Sequence, residues 1–361
     1  MLNRLECLRE KLNERDLDAI LISSPENRAY LSGFVGSAGY LIVTKHEAVI
    51  ATDFRYVEQA KNQAPGYEIV KIGNRDQDWF TDLILRMGIS KLGFEGDDVT
   101  VSLHERLISK LKDLDEVEAG KISLLSTVGI TEEIRATKDQ AELSLLQTAI
   151  DISDAAMDEI TPTIKPGNSE SEVAWRLEVC MREKGADSLA FDIIVGSGPN
   201  AALPHHRAGD RIINENEPIV IDMGAKYKGY CSDLTRTIIL GTPDEKFVRI
   251  YDTVLAAQQT AMVAIQPGMT GGEADNLART VISEAGYGDY FGHSLGHGLG
   301  LAVHEHPVVG PNSQNNLTVG MPFTIEPGIY IPDWGGVRIE DVVILQSDGA
   351  KRLSKARIIR T

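Results

Sequence analysis

The sequence predicts two domains: an α/β domain, followed by an α+β domain with an internal repeat. Three observations in the 361-residue chain lead to this fold class. Short apolar runs alternate with amphipathic stretches from Asp18 to about Val117, a pattern typical of α/β domains. A segment that begins at Ile164 recurs at Ile265. Each copy is followed by a β-rich segment with two carboxylates, so the second domain is predicted to contain two related halves.

The first domain is predicted from five apolar runs and the helical stretches between them. The runs predict strands at DAILIS, GYLIVT, AVIATD, YEIV and KLGFEG. Helices are predicted near residues 55–64, 77–87 and 102–112. A loop and a long helical pattern from about Lys138 to Ile160 then mark a change of organisation. We therefore predict domains at residues 1–128 and 129–361.

The repeat aligns IKPGNSESEVA with IQPGMTGGEAD. Ser169 with Glu172, and Thr270 with Glu273, have the spacing of a capping box. In that motif each side chain satisfies a backbone N–H at the start of a helix. Each copy is therefore predicted to begin a helix.

Two hairpins are predicted to bring carboxylates together. In PIVIDMGAKYKGYCSDLTRTIIL, a turn centred between Tyr227 and Lys228 places Asp222 directly opposite Asp233. In MPFTIEPGIYIPDWGGVRIEDVVIL, a turn centred on Asp333 places Glu326 opposite Glu340. Opposed residues of a hairpin share a face, where like charges repel unless a cation lies between them. Arg338 is predicted to point to the same side of its strand as Glu340, because alternate residues of a strand share a face.

Half of the eight histidines lie in FGHSLGHGLGLAVHEH: His293, His297, His304 and His306. The interleaved glycines argue against a regular helix and for a close backbone approach. An oxygen-rich site with one nitrogen ligand suits Mn²⁺, Co²⁺ or Zn²⁺, and pairs of such ions serve in hydrolases. Spacing alone leaves open which histidine is the ligand.

Composition excludes several other classes of function. A formal net charge of −17 argues against a nucleic-acid partner, because phosphate backbones are bound by clustered Lys and Arg. The N-terminus has no apolar signal core, and no apolar run is long enough for a membrane span. The three cysteines are widely spaced and odd in number, which fits neither a disulfide framework nor a paired metal motif. A cytoplasmic protein without a membrane partner is therefore expected.

The motifs together resemble those of the pita-bread metallopeptidases, specifically the Xaa-Pro aminopeptidases and prolidases. The similar segments are DMGAKYKGYCSDLTRT, HSLGHGLGLAVHE, TIEPGIYIP and GGVRIED, with order and spacing matching across roughly residues 135–361. YLSGFVGSAGYLIVT and TDFRYVEQA resemble the creatinase-type first domain of the same group. The resemblance implies a creatinase-type α/β domain followed by a pita-bread catalytic domain with an internal pseudo-twofold repeat.

The resemblance also implies roles for individual residues. The ligands of two divalent metal ions would be Asp222, Asp233, His297, Glu326 and Glu340. Asp233 and Glu340 would bridge both ions, and Glu326 would also transfer a proton. The substrate-binding residues would be His205, His293, His304 and Arg338, with His304 or His293 stabilising the oxyanion. His206 stands where the family usually has glycine, which leaves open which of His205 and His206 faces the substrate.

The implied activity is metal-assisted hydrolysis of the bond that precedes proline. We expect an Xaa-Pro aminopeptidase, which releases the first residue of peptides with proline second, because SGFVGSAG favours that group. The alternatives are a prolidase restricted to Xaa-Pro dipeptides and a non-catalytic peptide-binding protein on the same fold. Methionine aminopeptidase and creatine amidinohydrolase rank lower. The resemblance further implies Mn²⁺ before Co²⁺ or Zn²⁺, a proline-containing peptide as substrate, and a homodimer.

Overall fold

The computed structural model describes residues 4–73, 78–114 and 121–359. The chain divides into two compact units, Met1–Arg135 and Ala136–Thr361. Among the described residues, no helix combines the length and the apolar composition that crossing a bilayer requires.

The first unit is built on a six-stranded mixed sheet. Its strands in chain order are β1 (Ala19–Ile22), β2 (Tyr40–Thr44), β3 (Ala48–Thr52), β4 (Glu68–Lys71), β5 (Lys91–Glu95) and β6 (Ser123–Thr127). Across the sheet the order is β4-β3-β2-β1-β5-β6. β2 pairs antiparallel with β1 and β3, whereas the other pairs are parallel. The five predicted strands are confirmed, and β6 was not predicted.

Six helices accompany this sheet among the described residues. They are α1 (Arg4–Glu14), α2 (Pro25–Ser32), α3 (Val57–Gln63), α4 (Trp79–Arg86), α5 (Val101–Lys112) and α6 (Ile130–Ala136). The three predicted helices are confirmed as α3, α4 and α5; residue 77, the predicted start of the second, lies outside the described residues. The division between the two units falls within α6, after Arg135. The predicted domain boundary at residue 128 stays a prediction.

The second unit contains two helix pairs that repeat each other. The helices are α7 (Gln140–Ile160), α8 (Glu170–Glu183), α9 (Glu245–Ala264) and α10 (Gly271–Glu284). The turn before α8 is closed by a hydrogen bond from Gly167 N to Ile213 O, and the turn before α10 by one from Gly268 N to Leu317 O. Both glycines have positive φ, 98° and 91°. The predicted internal repeat and the long helix α7 are therefore confirmed.

The two predicted capping boxes differ. Thr270 Oγ1 accepts from Glu273 N, and Glu273 Oε2 accepts from Thr270 N, so this box is complete. Ser169 Oγ accepts from Glu172 N, but the Glu172 carboxylate accepts from the Asn168 side chain instead. The second half of the Ser169 box was therefore predicted wrongly, because the Asn168 side chain engages Glu172 instead.

Glu273→Ala is expected to destabilise the protein more than the matched variant Glu172→Ala. Only Glu273 satisfies a helix N-terminal N–H, a bond whose loss costs about 0.5–1.5 kcal/mol. Urea denaturation of both variants measures the difference. Equal denaturation midpoints for the two variants would show that the complete capping box adds no stability.

Thirteen strands, several of them short, are described in the second unit. In chain order they are β7 (Ser188–Leu189), β8 (Ile194–Ser197), β9 (Pro218–Met223), β10 (Ala225–Tyr227), β11 (Tyr230–Cys231), β12 (Leu234–Ile239), β13 (Gly296–Gly298), β14 (Glu305–Val309), β15 (Pro322–Ile325), β16 (Gly328–Ile331), β17 (Gly335–Arg338), β18 (Asp341–Gln346) and β19 (Gly349–Arg352). They form sheets in the orders β12-β9-β8, β11-β10-β7, β14-β13-β15-β18-β19 and β16-β17. Three 3₁₀ turns, Thr161–Thr163, Gly198–Ala202 and Gly288–Tyr290, complete the unit.

Strand alternation decides which side chains leave the core. Ile219, Ile221 and Met223 of β9 pack in the core beneath α7 and α8. Asp222 lies between two of them and points to the opposite face of the strand. In the second half, Ile325 and Ile339 pack in the core with α9 and α10. Glu326 and Glu340 directly follow Ile325 and Ile339, so the two carboxylates point to the opposite face, away from this core.

Asp154 of α7 is a buried carboxylate whose pKa is clearly raised. Its Oδ2 accepts a hydrogen bond from Lys355 N at 2.6 Å. Burial raises its pKa to about 6, although the Lys355 and Ala356 amides oppose the shift. The unfolded chain has an aspartate pKa of about 3.9. The folded protein therefore binds more protons between about pH 4 and 6, and it loses stability as the pH rises through this range.

Asp154→Asn is expected to stabilise the protein at pH 7 to 8, by at most about 3 kcal/mol, and to lose this advantage near pH 4. The amide is neutral throughout, so it avoids the cost of ionising a buried group. Thermal melts across this pH range measure the effect. Asp158→Asn is the matched control, since Asp158 lies on the same helix and also accepts from the C-terminal segment, at Arg357 N. A gain in melting temperature of Asp154→Asn that does not change with pH would contradict this explanation.

Candidate metal centre

The first hairpin holds two carboxylates, but its predicted register is wrong. Asp222 lies opposite Thr235, not opposite Asp233. The last residue pair of the two strands is Leu234 with Met223. Asp233 therefore lies one position further along, opposite Gly224. Asp222 and Asp233 therefore share a face as diagonal neighbours, not as a directly opposed pair.

The turn explains the shift in register. It is centred between Lys228 and Gly229, whose φ values are both positive, 46° and 88°. A two-residue hairpin turn of this kind requires positive φ at both central residues, and glycine adopts it without a steric cost. The prediction placed the centre one residue earlier, where Tyr227 would have had to take up that conformation.

The second hairpin has the predicted register. Ile331 pairs with Gly335 and Gly328 with Arg338, so the turn is centred on Asp333. Beyond Glu326 and Glu340 the same register continues with Ile325 opposite Asp341. Glu326 and Glu340 therefore face each other, as predicted.

All nine predicted site residues line one cavity of about 690 Å³. They are His205, Asp222, Asp233, His293, His297, His304, Glu326, Arg338 and Glu340. His206 and Arg207 also line it, which the sequence did not lead us to assign. His306 is not among the described residues that line this cavity.

Asp233, His297 and Glu340 form the tightest cluster, in which one ligand atom from each residue lies within 4.8 Å of the others. His297 Nε2 is 3.6 Å from Asp233 Oδ2 and 3.3 Å from Glu326 Oε1. His297 Nδ1 lies 3.1 Å from Gly298 O, so it donates to that carbonyl and leaves Nε2 aimed at the carboxylates. The strand Gly296–Gly298 carries this ring, in agreement with the expectation of a non-helical segment.

Glycines flank His297 because neighbouring backbone leaves no room for a side chain. A Cβ at position 296 would lie 2.0 Å from Thr324 O, and one at position 298 would lie 2.0 Å from His306 O. The close backbone approach predicted from these glycines is therefore to the two adjoining strands, β15 and β14.

Two carboxylate oxygens in the cavity are buried without a hydrogen-bond partner among the described residues. They are Asp222 Oδ1 and Glu340 Oε1. A buried acceptor without a partner costs free energy, and a carboxylate costs more. Oxygen atoms of this kind, next to an imidazole nitrogen, are the donor set expected for Mn²⁺, Co²⁺ or Zn²⁺. The residues present therefore fit divalent metal ions.

The pKa shifts of these carboxylates agree with this interpretation. Burial, and then the charge of Glu340, raises the pKa of Asp233 well above its usual value. Burial and the charges of Glu326 and Asp222 do the same to the pKa of Glu340. Burial also acts on Glu326, but the hydrogen bond and charge of His297 outweigh it and lower the pKa of Glu326 to about 2. Without cations, the cluster resists full ionisation.

Arg338 and Tyr330 form a chain of hydrogen bonds that connects Asp222 with His293. Arg338 Nη2 donates to Asp222 Oδ2 at 2.6 Å, and Nη1 donates to the Tyr330 hydroxyl at 2.7 Å. The Tyr330 hydroxyl therefore directs its own proton to His293 Nε2, 3.0 Å away. His293 Nδ1 then donates to Ser294 O at 2.8 Å, so both ring nitrogens of His293 are engaged. Tyr330 was missed, although its place in the Glu326 hairpin could have indicated it.

Side chains from the two halves of the repeat bond across the centre. Thr235 of the first half donates to Glu340 Oε2 at 2.7 Å. Arg236 is almost fully buried; it donates to the Glu340 carbonyl and, at 2.7 Å, to Asp341 Oδ1. Arg338 of the second half bonds back to Asp222. These bonds place carboxylates from separate hairpins next to each other.

His304 and His206 differ in how they are held. The His304 ring packs edge-on to His297 with centroids 4.2 Å apart, and its nitrogens form no hydrogen bond within the described part of the chain. Burial, and then the charge of His297, lowers the pKa of His304. His206 is bonded instead to Glu170, with Nε2 2.8 Å from Oε2. Of the adjacent pair His205 and His206, only His205 remains exposed and free to reach a ligand.

Comparisons with known proteins cover nearly the whole chain. Residues 4–136 match the Creatinase/Prolidase N-terminal domain, and residues 144–347 match Metallopeptidase family M24. An Xaa-Pro dipeptidase of Pyrococcus furiosus is 40% identical, with 98% of each chain covered. A solved Xaa-Pro dipeptidase of Bacillus anthracis is 44% identical with a TM-score of 0.93, covering 99% of this chain and 98% of that one. An X-Pro aminopeptidase of Thermotoga maritima is 35% identical with a TM-score of 0.86, covering 98% of both chains.

Proposed function

The chain belongs to metallopeptidase family M24, and from this premise we propose that it is a dinuclear Xaa-Pro dipeptidase. The sequence motifs favoured an aminopeptidase over a dipeptidase. The relatives favour the reverse order, because two of the most similar proteins are described as Xaa-Pro dipeptidases. The X-Pro aminopeptidase of Thermotoga maritima keeps the aminopeptidase as the second candidate.

The observation that carries the proposal is the cluster of Asp233, His297 and Glu340, in which Glu340 also has a buried oxygen without a hydrogen-bond partner among the described residues. We assign two divalent ions to the site that includes this cluster, with Mn²⁺ preferred and Co²⁺ or Zn²⁺ as alternatives. The proposed ligands are Asp222, Asp233, His297, Glu326 and Glu340. When bound, such ions polarise a carbonyl oxygen and lower the pKa of water. Asp233 and Glu340 are the proposed bridging ligands.

The other side chains would bind the substrate and move the proton. Glu326 accepts a hydrogen bond from Thr324 Oγ1 at 3.0 Å, which orients it to take a proton from water and pass it to the proline nitrogen. His304 is the candidate donor to the carbonyl oxygen as its negative charge develops, because His293 has both nitrogens engaged. His205 is proposed to contact the peptide, and His293 and Arg338, whose donors are engaged within the protein, are proposed to shape the substrate-binding surface.

A paired assay tests this function. An Xaa-Pro dipeptide and the corresponding Xaa-Pro-Yaa tripeptide are compared on one sample whose metal content is measured. Cleavage of the dipeptide, with little or none of the tripeptide, is expected. Equal or faster cleavage of the tripeptide would establish the aminopeptidase instead. If the sample binds no ion after Mn²⁺ or Co²⁺ supplementation, both peptidase functions are excluded, and a non-catalytic peptide-binding protein is the remaining candidate.

We also retain the homodimer and the cytoplasmic location as proposals. The first rests on the family resemblance, and the second on three cysteines that are all free thiols. Sedimentation equilibrium tests the homodimer, and a monomer at micromolar concentration would contradict it.

A further inference from the structure

The substrate of the proposed dipeptidase ends in a free carboxylate one residue after the cleaved bond. A longer peptide has a neutral amide at the same place. A site that prefers dipeptides therefore needs a cationic donor that reaches this group, and charge-assisted bonds to carboxylates are strong and directional. The assignment of a residue that binds this substrate carboxylate rests on the proposed function.

Most basic side chains of the cavity are already engaged. Besides His297, those that line it in the described chain are His205, His206, Arg207, His293, His304 and Arg338. The guanidinium of Arg338 donates to Asp222, Tyr330 and Thr235. His293 uses both ring nitrogens, and His206 is bonded to Glu170. Arg207, His205 and His304 remain.

Arg207 is the best match for a carboxylate among these three. Its guanidinium is always charged and presents parallel N–H groups that fit two carboxylate oxygens. A neutral imidazole offers one N–H and no charge. Arg207 is exposed at the cavity, and no hydrogen bond or ion pair engages it across the residues that the structure describes.

The cavity gives this charge particular importance. Its other ionisable groups include five carboxylates: Asp192, Asp222, Asp233, Glu326 and Glu340. Four of these carboxylates are the proposed metal ligands, whose charge two bound divalent ions would balance, so the cation that binds the substrate carboxylate has to come from another part of the cavity wall. Arg207 supplies a charge that no acidic neighbour in the described chain neutralises.

The loop that carries Arg207 is anchored on a buried carboxylate. Glu170, in the first turn of α8, is fully buried. Its Oε1 accepts from Ser197 N and Ser197 Oγ, both at 2.8 Å, and Asn200 Nδ2 reaches both of its oxygens at 3.0 and 3.1 Å. His206 Nε2 donates to Oε2 at 2.8 Å.

This anchor has two consequences for Arg207. It fixes the backbone immediately before Arg207, so the guanidinium extends from a defined point of the cavity wall. It also fills the acceptor positions of Glu170, so Glu170 cannot pair with Arg207. We propose that Arg207 is the specificity-determining residue that binds the free carboxylate of the dipeptide, and that His206 is the positioning residue that holds its loop on Glu170.

The test compares an Xaa-Pro dipeptide with its C-terminal amide, which lacks only the charge. Arg207→Gln is expected to lower kcat/KM for the dipeptide about 10- to 100-fold, mainly through KM, as loss of one charged hydrogen-bonded contact implies. It should change kcat/KM for the amide by less than about twofold. Arg207→Lys should fall between Arg207→Gln and the unsubstituted protein. Lys351→Gln, an equal charge change at an exposed position outside the cavity, is the matched control and should alter neither value.

His206 is tested in the same assay. His206→Ala should lower the ratio of dipeptide to amide cleavage, and His206→Gln should restore most of it, because the glutamine amide can still donate to Glu170. A merely structural role would lower cleavage of both substrates together and leave their ratio unchanged.

The outcomes separate this inference from the proposed function. If the unsubstituted protein fails to cleave the dipeptide, or prefers longer peptides, the proposed function is wrong whatever the variants do. If it prefers the dipeptide to the amide and Arg207→Gln keeps that preference, only the assignment of Arg207 is overturned. Equal decreases in kcat/KM for the dipeptide and its amide in Arg207→Gln would overturn the assignment of Arg207 as well.

Discussion

Asp233→Asn is expected to lower kcat/KM on the order of a thousandfold, which corresponds to about 4 kcal/mol of transition-state stabilisation. The same substitution is expected to raise the melting temperature of the metal-free protein. Both effects have one origin. Asp233 is buried, and the charge of Glu340 raises its pKa further, so without cations the cluster is destabilised by repulsion. The substitution removes that repulsion, and it also removes a proposed bridging ligand.

Thermal melts in chelator and in excess Mn²⁺, together with metal content per chain, measure these opposite changes. Asp233→Asn should narrow the gap between the two melting temperatures, because stabilisation by a ligand scales with its affinity for the folded state. Glu284→Gln neutralises an exposed carboxylate at the end of α10 and serves as the control. Unchanged metal content and unchanged turnover in Asp233→Asn would refute the centre.

Arg338→Met is expected to lower kcat/KM about a hundredfold or more and to destabilise the protein by about 3–5 kcal/mol. The Arg338 side chain is almost fully buried and donates to Asp222, Tyr330 and Thr235. Its removal leaves the Asp222 carboxylate without its cation and leaves the Tyr330 hydroxyl without the donor that directs its proton to His293. Loss of a buried charge partner is costly because the remaining charge stays desolvated.

Two further variants separate charge from geometry. Arg338→Lys keeps the charge but cannot reach three acceptors at once, so it should recover stability more than activity. Tyr330→Phe removes only the hydroxyl and should cost about 1 kcal/mol of stability. Denaturant melts and steady-state kinetics on the three variants provide both readouts. If Arg338→Met kept normal turnover, Arg338 would have no role in the site.

The sequence predicted the strongly patterned parts of the fold. The buried apolar runs of the first unit and the 3.6-residue periodicity of α7 are each long enough to identify strands and a helix. Helix α2 was not predicted, although Ser24 and Pro25 are a start signal and Gly33 with φ 78° is a stop signal. A helix of only two turns gives little periodicity, so its ends carry most of the information.

The two hairpins show why one register was predicted correctly and the other was not. In the second, Asp333 takes a positive φ at the centre of a turn whose flanking residues are fixed by the long register on both sides. In the first, KYKG allows two neighbouring centres, and only the preference of glycine for positive φ selects between them. The carboxylates still share a face, because their diagonal positions keep the strand period of two.

The roles of individual histidines could not be predicted from spacing. Both ring nitrogens of His293 are engaged through Tyr330 and Ser294, partners that depend on the tertiary fold. His206 likewise depends on Glu170, which lies 36 residues earlier in the chain. Hydrogen-bond partners at such separations leave no periodic signal in the sequence.

The bonds between the two halves of the second unit have a consequence for how the site responds to distant change. Asp222 and Asp233 belong to one half, and Glu326 and Glu340 to the other, with Thr235 and Arg236 bonded across to Glu340. A small slide of one half along the other would preserve every separation within a pair while altering every separation between pairs. The affinity for the proposed metal ions would therefore depend on the alignment of the two halves, and a substitution far from the cavity would weaken it without changing a proposed ligand.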